Sequence, residues 1–136
     1  MKVFISYDHT DRTLARKIAE ALKEAGLEVW YQEDEIYPGD NWAAKMAQGL
    51  EAANAMVVVW TRNAFQSDPV RWSINYALGD RKFAQRLITV FADDPDTLPE
   101  AEVPWILRRL KTINLSASGG NEEGFKQIAQ SLQAAA

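Results

Sequence analysis

The chain predicts an α/β sandwich, a parallel sheet of five strands with helices on both faces. Three observations carry that expectation. Short apolar runs alternate with segments of helical periodicity along the whole sequence, the pattern of repeated strand-crossover-strand units. The run Ala55 to Thr61 (AMVVVWT) is the most strand-like in the chain and has no polar alternation, as a central strand covered on both sides requires. Gly26, Pro38-Gly39-Asp40 and Gly119-Gly120 punctuate the borders between these segments.

The elements follow in order. Lys2 to Tyr7 (KVFISY) is a buried strand by composition. Asp8, Thr10 or Asp11 caps the next helix, whose stripe Leu14, Ile18, Ala21, Leu22 and Ala25 runs until Gly26 stops it. Leu27 to Tyr31 is expected as strand two. Gln32 to Trp42 (QEDEIYPGDNW) reads as an acidic loop, with Asp40 or Asn41 capping a second helix that shows Trp42, Met46, Gly49, Leu50 and Ala53 on one face. After the central strand, Pro69 suits the first turn of a third helix reaching Phe83, with the stripe Val70, Ile74, Ala77 and Leu78. Leu87 to Ala92 is strand four, Asp93 to Pro104 a loop with three prolines, and Trp105 to Leu110 a short helix. Thr112 to Leu115 is strand five, and Glu122 to Leu132 the last helix, with Gly119-Gly120 in the connection before it.

With right-handed crossovers, these elements fit a flavodoxin-like three-layer sandwich with strand order 2-1-3-4-5. Its direction of winding reverses between strands one and three, so a cleft opens above their carboxyl ends. Tyr7 to Asp11, the loop after strand two, Thr61 to Asn63 and the first half of the third helix border that cleft.

Composition narrows the chemistry. At 136 residues, 47% of them hydrophobic, the sequence is expected to form one domain over 1–136. Fifteen Lys and Arg against 19 Asp and Glu give a net charge of −4, so no basic field marks nucleic acid as a partner. The absence of cysteine excludes disulfides and thiolate zinc sites, and suits a cytoplasmic setting. The single His9 excludes a histidine metal cluster, and no apolar stretch is long enough to read as a membrane span or signal peptide. Neither GxGxxG nor GxxxxGK[ST] is present, which argues against a dinucleotide or Walker-type phosphate site. A phosphorelay receiver would need an aspartate at the end of strand three, where Trp60-Thr61-Arg62 stands instead.

Four segments carry a family resemblance. Phe4-Ile5-Ser6-Tyr7 followed by Asp8 and Asp11 resembles F-[IV]-S-[YH]-x-x-x-D, the first signature of Toll/interleukin-receptor (TIR) domains. Leu27 to Tyr31, the acidic loop and Pro38-Gly39-Asp40-Asn41-Trp42 resemble the second signature, the BB loop and its exit. Ala55 to Arg62 resembles the third strand, and Val70 to Leu78 resembles V-R-x-E-[IL]-x-Y-A-L of bacterial members. The four stand in register across essentially the whole chain.

The resemblance implies two functions. One is homotypic assembly with other TIR domains through the BB loop, here Glu33, Asp34, Glu35, Ile36, Tyr37, Pro38, Gly39 and Asp40. The other is cleavage of the nicotinamide-ribose bond of NAD, as substrate or ligand rather than a tightly bound cofactor. That reaction passes through an oxocarbenium-like ribose that a carboxylate stabilises. The resemblance places Tyr7, Asp8, His9, Asp11, Trp42 and Arg62 around the nucleotide, and Ser73 where the catalytic glutamate stands. Activity is therefore expected to be weak or absent. Asp80, two helical turns or about 10 Å further on, is too distant to substitute, which leaves Glu33, Asp34 and Glu35 on the loop as carboxylates for an active alternative.

Overall fold

The computed structural model describes residues 1–94, 96, 98–116 and 121–135. Five strands, β1 (Lys2–Ser6), β2 (Glu28–Trp30), β3 (Ala55–Trp60), β4 (Leu87–Phe91) and β5 (Lys111–Asn114), form one sheet in the order β2-β1-β3-β4-β5. Every neighbouring pair is parallel. The flavodoxin-like order expected from the sequence is therefore the order found. All six residues of β3 are buried, as a central strand requires.

Strand alternation divides the core in two. On one face Val3, Ile5, Val57, Val59, Ile88 and Val90 meet Ile18 and Leu22 of α1 (Arg12–Glu24) and Ile128 and Leu132 of α6 (Asn121–Ala134). On the other, Phe4, Met56, Val58 and Trp60 meet Met46 and Leu50 of α3 (Trp42–Ala52), Val70 and Ile74 of α4 (Asp68–Leu78) and Leu107 of α5 (Trp105–Arg109).

The turns follow from local chemistry. Gly26, at φ +91°, ends α1 in a Schellman arrangement: its N–H donates to Lys23 O, and the Leu27 N–H reaches back to Leu22 O. Tyr37-Pro38-Gly39-Asp40 closes with Asp40 N–H donating to Tyr37 O at 3.0 Å, and Gly39 takes the left-handed position at φ +92°. Ser67 caps α4 with Pro69 in its first turn, and Asn41 caps α3 by accepting from Ala44 N–H at 3.1 Å.

Several expectations need correction. The acidic loop contains a single-turn helix, α2 (Gln32–Glu35). The third helix stops at Leu78 rather than Phe83; Arg81–Phe83 is a separate 3-10 turn capped by Asp80, whose carboxylate accepts from Lys82 N–H at 3.0 Å. Leu78 and Trp42, assigned to buried stripes, are each 44% exposed. The 93–104 loop includes a 3-10 turn at Glu100–Glu102. Strands one to four are shorter than expected by one or two residues, β5 begins one residue earlier, and α6 is longer at both ends. Gly119-Gly120, Pro95 and Ala136 lie outside the described residues.

One packing detail yields a quantitative expectation. A Cβ on Gly49 would lie 2.6 Å from Cε2 of Trp30 and 2.7 Å from its Cδ2. Trp30 is buried and stacked on Phe4, with ring centroids 4.6 Å apart and planes 7° from parallel, so the indole has little room to slide. Alanine improves helix propensity by up to about 1 kcal/mol, whereas overpacking costs about 1–3 kcal/mol. Gly49→Ala is thus expected to lower stability by about 1–2 kcal/mol in a denaturant titration. A variant at least as stable as the parent would show that Trp30 moves freely.

Candidate functional site

The cleft lies where the sheet reverses its winding, above the carboxyl ends of β1 and β3. Ser6, the last residue of β1, is buried, and its Oγ is 2.6 Å from Ser73 Oγ. Ser73 is 0% exposed and donates to the Val70 carbonyl at 2.8 Å. A hydroxyl has one proton, so with that of Ser73 committed to Val70, Ser6 is the donor to Ser73. The hydroxyl is thus enclosed and satisfied on both sides.

Tyr7 is also interior, at 2% exposure. Its ring stacks on Tyr31 at 5.2 Å and 14°, and its hydroxyl donates to Glu33 Oε1 at 3.5 Å. Burial, then the Tyr31 and Glu33 charges, push its phenol pKa up, so Tyr7 stays protonated as a donor. His9, largely exposed, places Nδ1 3.2 Å from the same Glu33 oxygen. Glu33 on α2 is thereby tied to the residues after β1. A hollow of about 320 Å³ lies beside this pair, lined by His9, Gln32, Glu33, Ile36, Tyr37 and Pro38.

Asp8 and Asp11 do different work. The Asp8 carboxylate accepts from the amide and hydroxyl of Thr10, capping the 3-10 turn His9–Asp11. Burial acts to raise its pKa, but the bonds from Thr10 and the Ser67 hydroxyl outweigh burial and hold it below the usual carboxylate value. Its contribution to stability is therefore complete above about pH 4 and lost as pH falls through the folded pKa. Asp8→Asn is expected to be less stable than the parent at neutral pH, with the gap closing toward acid pH in melts from pH 7 to 2. A gap that stays constant would show that the charge of Asp8 is not involved.

Asp11 precedes α1 without capping it through its side chain. Instead it accepts from Thr61 Oγ1 at 2.5 Å and Asn63 Nδ2 at 3.2 Å, joining the end of β1 to the loop after β3. Arg62 in that loop points elsewhere, with Nε 3.6 Å from Glu102 Oε2. That is too long for a hydrogen bond, and the Glu102 oxygen is otherwise buried without a partner. Trp42 opens α3 from the solvent side. Tyr37 is 63% exposed, whereas Ile36 is half-buried against the core.

The structure thus brings Tyr7, His9 and Glu33 together, and separately ties Asp8 to Thr10 and Asp11 to Thr61 and Asn63. Arg62 and Trp42 stand outside these clusters. Ser67 and Glu102 were not singled out from sequence. Ser67-Asp68-Pro69 is a helix-start pattern that points to a cap, but Glu102 sits in an irregular loop with no local signal. Among the described residues, no group of three or more His, Asp or Glu could hold a metal ion, and no helix is long and apolar enough to cross a membrane. A larger hollow of about 510 Å³ between α1 and α6 borders none of the cleft residues.

Comparison with solved structures supports the architecture. The chain superposes on the TIR domain of the Toll-related receptor TRR-2 from Hydra magnipapillata with a TM-score of 0.74 and 17% identity, covering 96% of this chain and 97% of that one. The TIR domains of the activated Roq1 resistosome, which recognises the effector XopQ, give 0.75 and 19%, covering 95% and 97%. At the sequence level, it is 34% identical over 73 residues to the 2' cyclic ADP-D-ribose synthase BtTIR of Bacteroides thetaiotaomicron, covering 53% of this chain and 25% of that protein. It is 29% identical over 75 residues to the probable 2' cyclic ADP-D-ribose synthase TcpO of Methanobrevibacter olleyae, covering 54% and 21%. The NAD(+) hydrolase TcpA of a Theionarchaea archaeon is 34% identical over 67 residues, covering 48% and 20%. The chain thus matches a quarter or less of the length of these relatives. The profile of the TIR domain family matches residues 3–129, and the chain accordingly belongs to the TIR domain family, in its bacterial type.

Proposed function

We propose that this TIR domain, acting as one unit over 1–136 in the cytoplasm, signals by self-association through the loop from Glu33 to Asp40. In this reading its cleavage of NAD is weak or absent. The observation that carries the second part is Ser73. It is fully buried with its hydroxyl committed to Ser6 and Val70, and the sequence resemblance assigns it the position of the family glutamate. Cleaving the nicotinamide-ribose bond builds positive charge on the anomeric carbon, which a carboxylate offsets and a neutral, enclosed hydroxyl does not.

Self-association is supported by the exposed Tyr37 at the tip of a loop whose backbone is internally hydrogen-bonded. Acidic Asp34 and Glu35 beside an aromatic anchor combine electrostatic selection with apolar contact area. The Roq1 TIR domains, taken from an assembled resistosome, fit the same reading. NAD enters as a substrate or ligand because the relatives bear the names of NAD hydrolase and cyclic ADP-ribose synthases. The experiment is paired: nicotinamide release from NAD, and sedimentation across a concentration series. Rapid turnover by a strictly monomeric chain would overturn both parts.

One observation favours a second reading, an active NAD hydrolase or cyclase that uses another carboxylate. Glu33 is held in the cleft by His9 at 3.2 Å and faces the Tyr7 hydroxyl. If the chain as it stands releases nicotinamide and Glu33→Gln abolishes the release, Glu33 is that carboxylate.

A further inference from the structure

We propose that the outward face of α5 receives the Glu33–Asp40 loop of a second copy of this chain. The inference deepens the reading of that loop as the self-association surface and rests on it. Among the large apolar side chains of the described residues, Trp105 and Tyr37 project furthest into solvent, at 70% and 63% exposure. They stand in surroundings of opposite charge. Tyr37 follows Asp34 and Glu35, both exposed, whereas Trp105 opens a helix that carries exposed Arg108 and Arg109 and leads into exposed Lys111. Leu107 is fully buried and fixes α5 against the core, which turns Trp105 and Arg109, four residues apart, toward solvent. No ion pair among the described residues involves Arg108, Arg109 or Lys111.

Topology decides which copy supplies which surface. The loop follows β2 and α5 precedes β5, and these are the two edge strands of the sheet. At about 4.8 Å per strand spacing the edges stand roughly 19 Å apart, so the internally bonded loop does not reach its own α5. Neither surface blocks the other. A two-fold contact of loop against loop would set Asp34 and Glu35 against their own copies, and one of α5 against α5 would do the same with Arg108 and Arg109. A heterologous contact instead pairs acid with base and one exposed aromatic with the other. The cations nearest the loop are already engaged within one copy, Lys23 Nζ lying 3.6 Å from Asp34 and His9 holding Glu33. Glu35 is in neither pair. The α5 face thus matches an acidic loop with an aromatic tip, which is what this chain itself presents.

Two variants, each defective on a different surface, test this by sedimentation velocity. The double variant Arg108→Glu, Arg109→Glu reverses the α5 face and keeps the loop; Tyr37→Asp damages the loop and keeps the α5 face. Each alone is expected to associate about tenfold more weakly than the parent, while an equimolar mixture recovers a heterodimer that grows no longer. Should the double reversal fail to fold, Trp105→Ala at its exposed position takes its place. Parent association is also expected to weaken as NaCl rises from about 0.05 M to about 0.5 M, the sign for opposite charges. A mixture that stays monomeric overturns the proposal, as does association that salt strengthens. If the double reversal associates like the parent while Tyr37→Asp does not, the loop keeps its role and α5 is not its receptor. If that reversal leaves association intact but abolishes pelleting with phosphatidylserine vesicles, the face belongs to a lipid surface and the proposal falls. A parent chain that is monomeric at every concentration instead removes the reading of the loop on which the proposal rests.

Discussion

Ser73→Glu is expected to raise nicotinamide release from NAD at least about 10²-fold over the chain as it stands, the scale of one preorganised electrostatic contact to a transition state. The gain carries a structural cost. Position 73 is fully enclosed, its Oγ within 2.6 Å of Ser6, so a glutamate must displace its neighbours to bring its carboxylate to the cleft. Such overpacking costs about 1–3 kcal/mol, which lowers the Tm by several degrees. The expected signature is thus opposite in sign for the two measurements: activity rises while stability falls. Ser73→Ala, which removes the hydroxyl without adding charge, is expected to stay inactive. A folded Ser73→Glu variant that releases no nicotinamide would sink the inference that this serine is what disables the site.

Tyr37→Asp is expected to weaken self-association by tenfold or more, the minimum for loss of an aromatic anchor at the centre of an interface. Tyr37 is the clean probe because it is 63% exposed, whereas Ile36 leans on the buried cluster around Met46 and Leu50. A change at Ile36 would confound association with folding. The added negative charge also sits beside Asp34 and Glu35, reinforcing any electrostatic mismatch. Sedimentation velocity over a concentration series reads the shift. A parent chain that remains monomeric throughout, with and without NAD, would remove the interface itself.

The sheet was legible because continuous apolar runs such as Ala55 to Trp60 have few other destinations in a small α/β domain. Helix ends were less so. Leu78 and Phe83 prolong an apolar stripe, yet Gly79 caps α4, and Asp80 starts a new turn whose Phe83 is buried independently. Asp80 is therefore separated from Ser73 by a break in the chain's direction, not merely by two turns of one helix. Helix α2 was invisible because Gln32 to Glu35 has no apolar periodicity, and its fixed point, the His9–Glu33 contact, spans 24 residues. The cleft was half legible. Asp11 announces itself as a polar residue after a strand, but its partners Thr61 and Asn63 lie 50 and 52 residues away, and only folding pairs them. Trp42 shows the converse: an apolar residue at the first turn of a helix can project from the core rather than enter it.

The loop from Glu33 to Asp40 is braced by its own hydrogen bonds. Asp34 and Ile36 N–H donate to Tyr31 and Gln32 carbonyls, Tyr37 N–H to Asp40 Oδ2 at 2.9 Å, and Asp40 N–H back to Tyr37. In an assembly built on this loop, little conformational entropy remains to be lost on contact, a loss that otherwise runs to about 1–2 kcal/mol per ordered residue. Encounters need not wait for the segment to fold. Asp40, which need not touch the neighbouring copy at all, would thus govern how readily the neighbour is captured, through the freedom it denies to Tyr37.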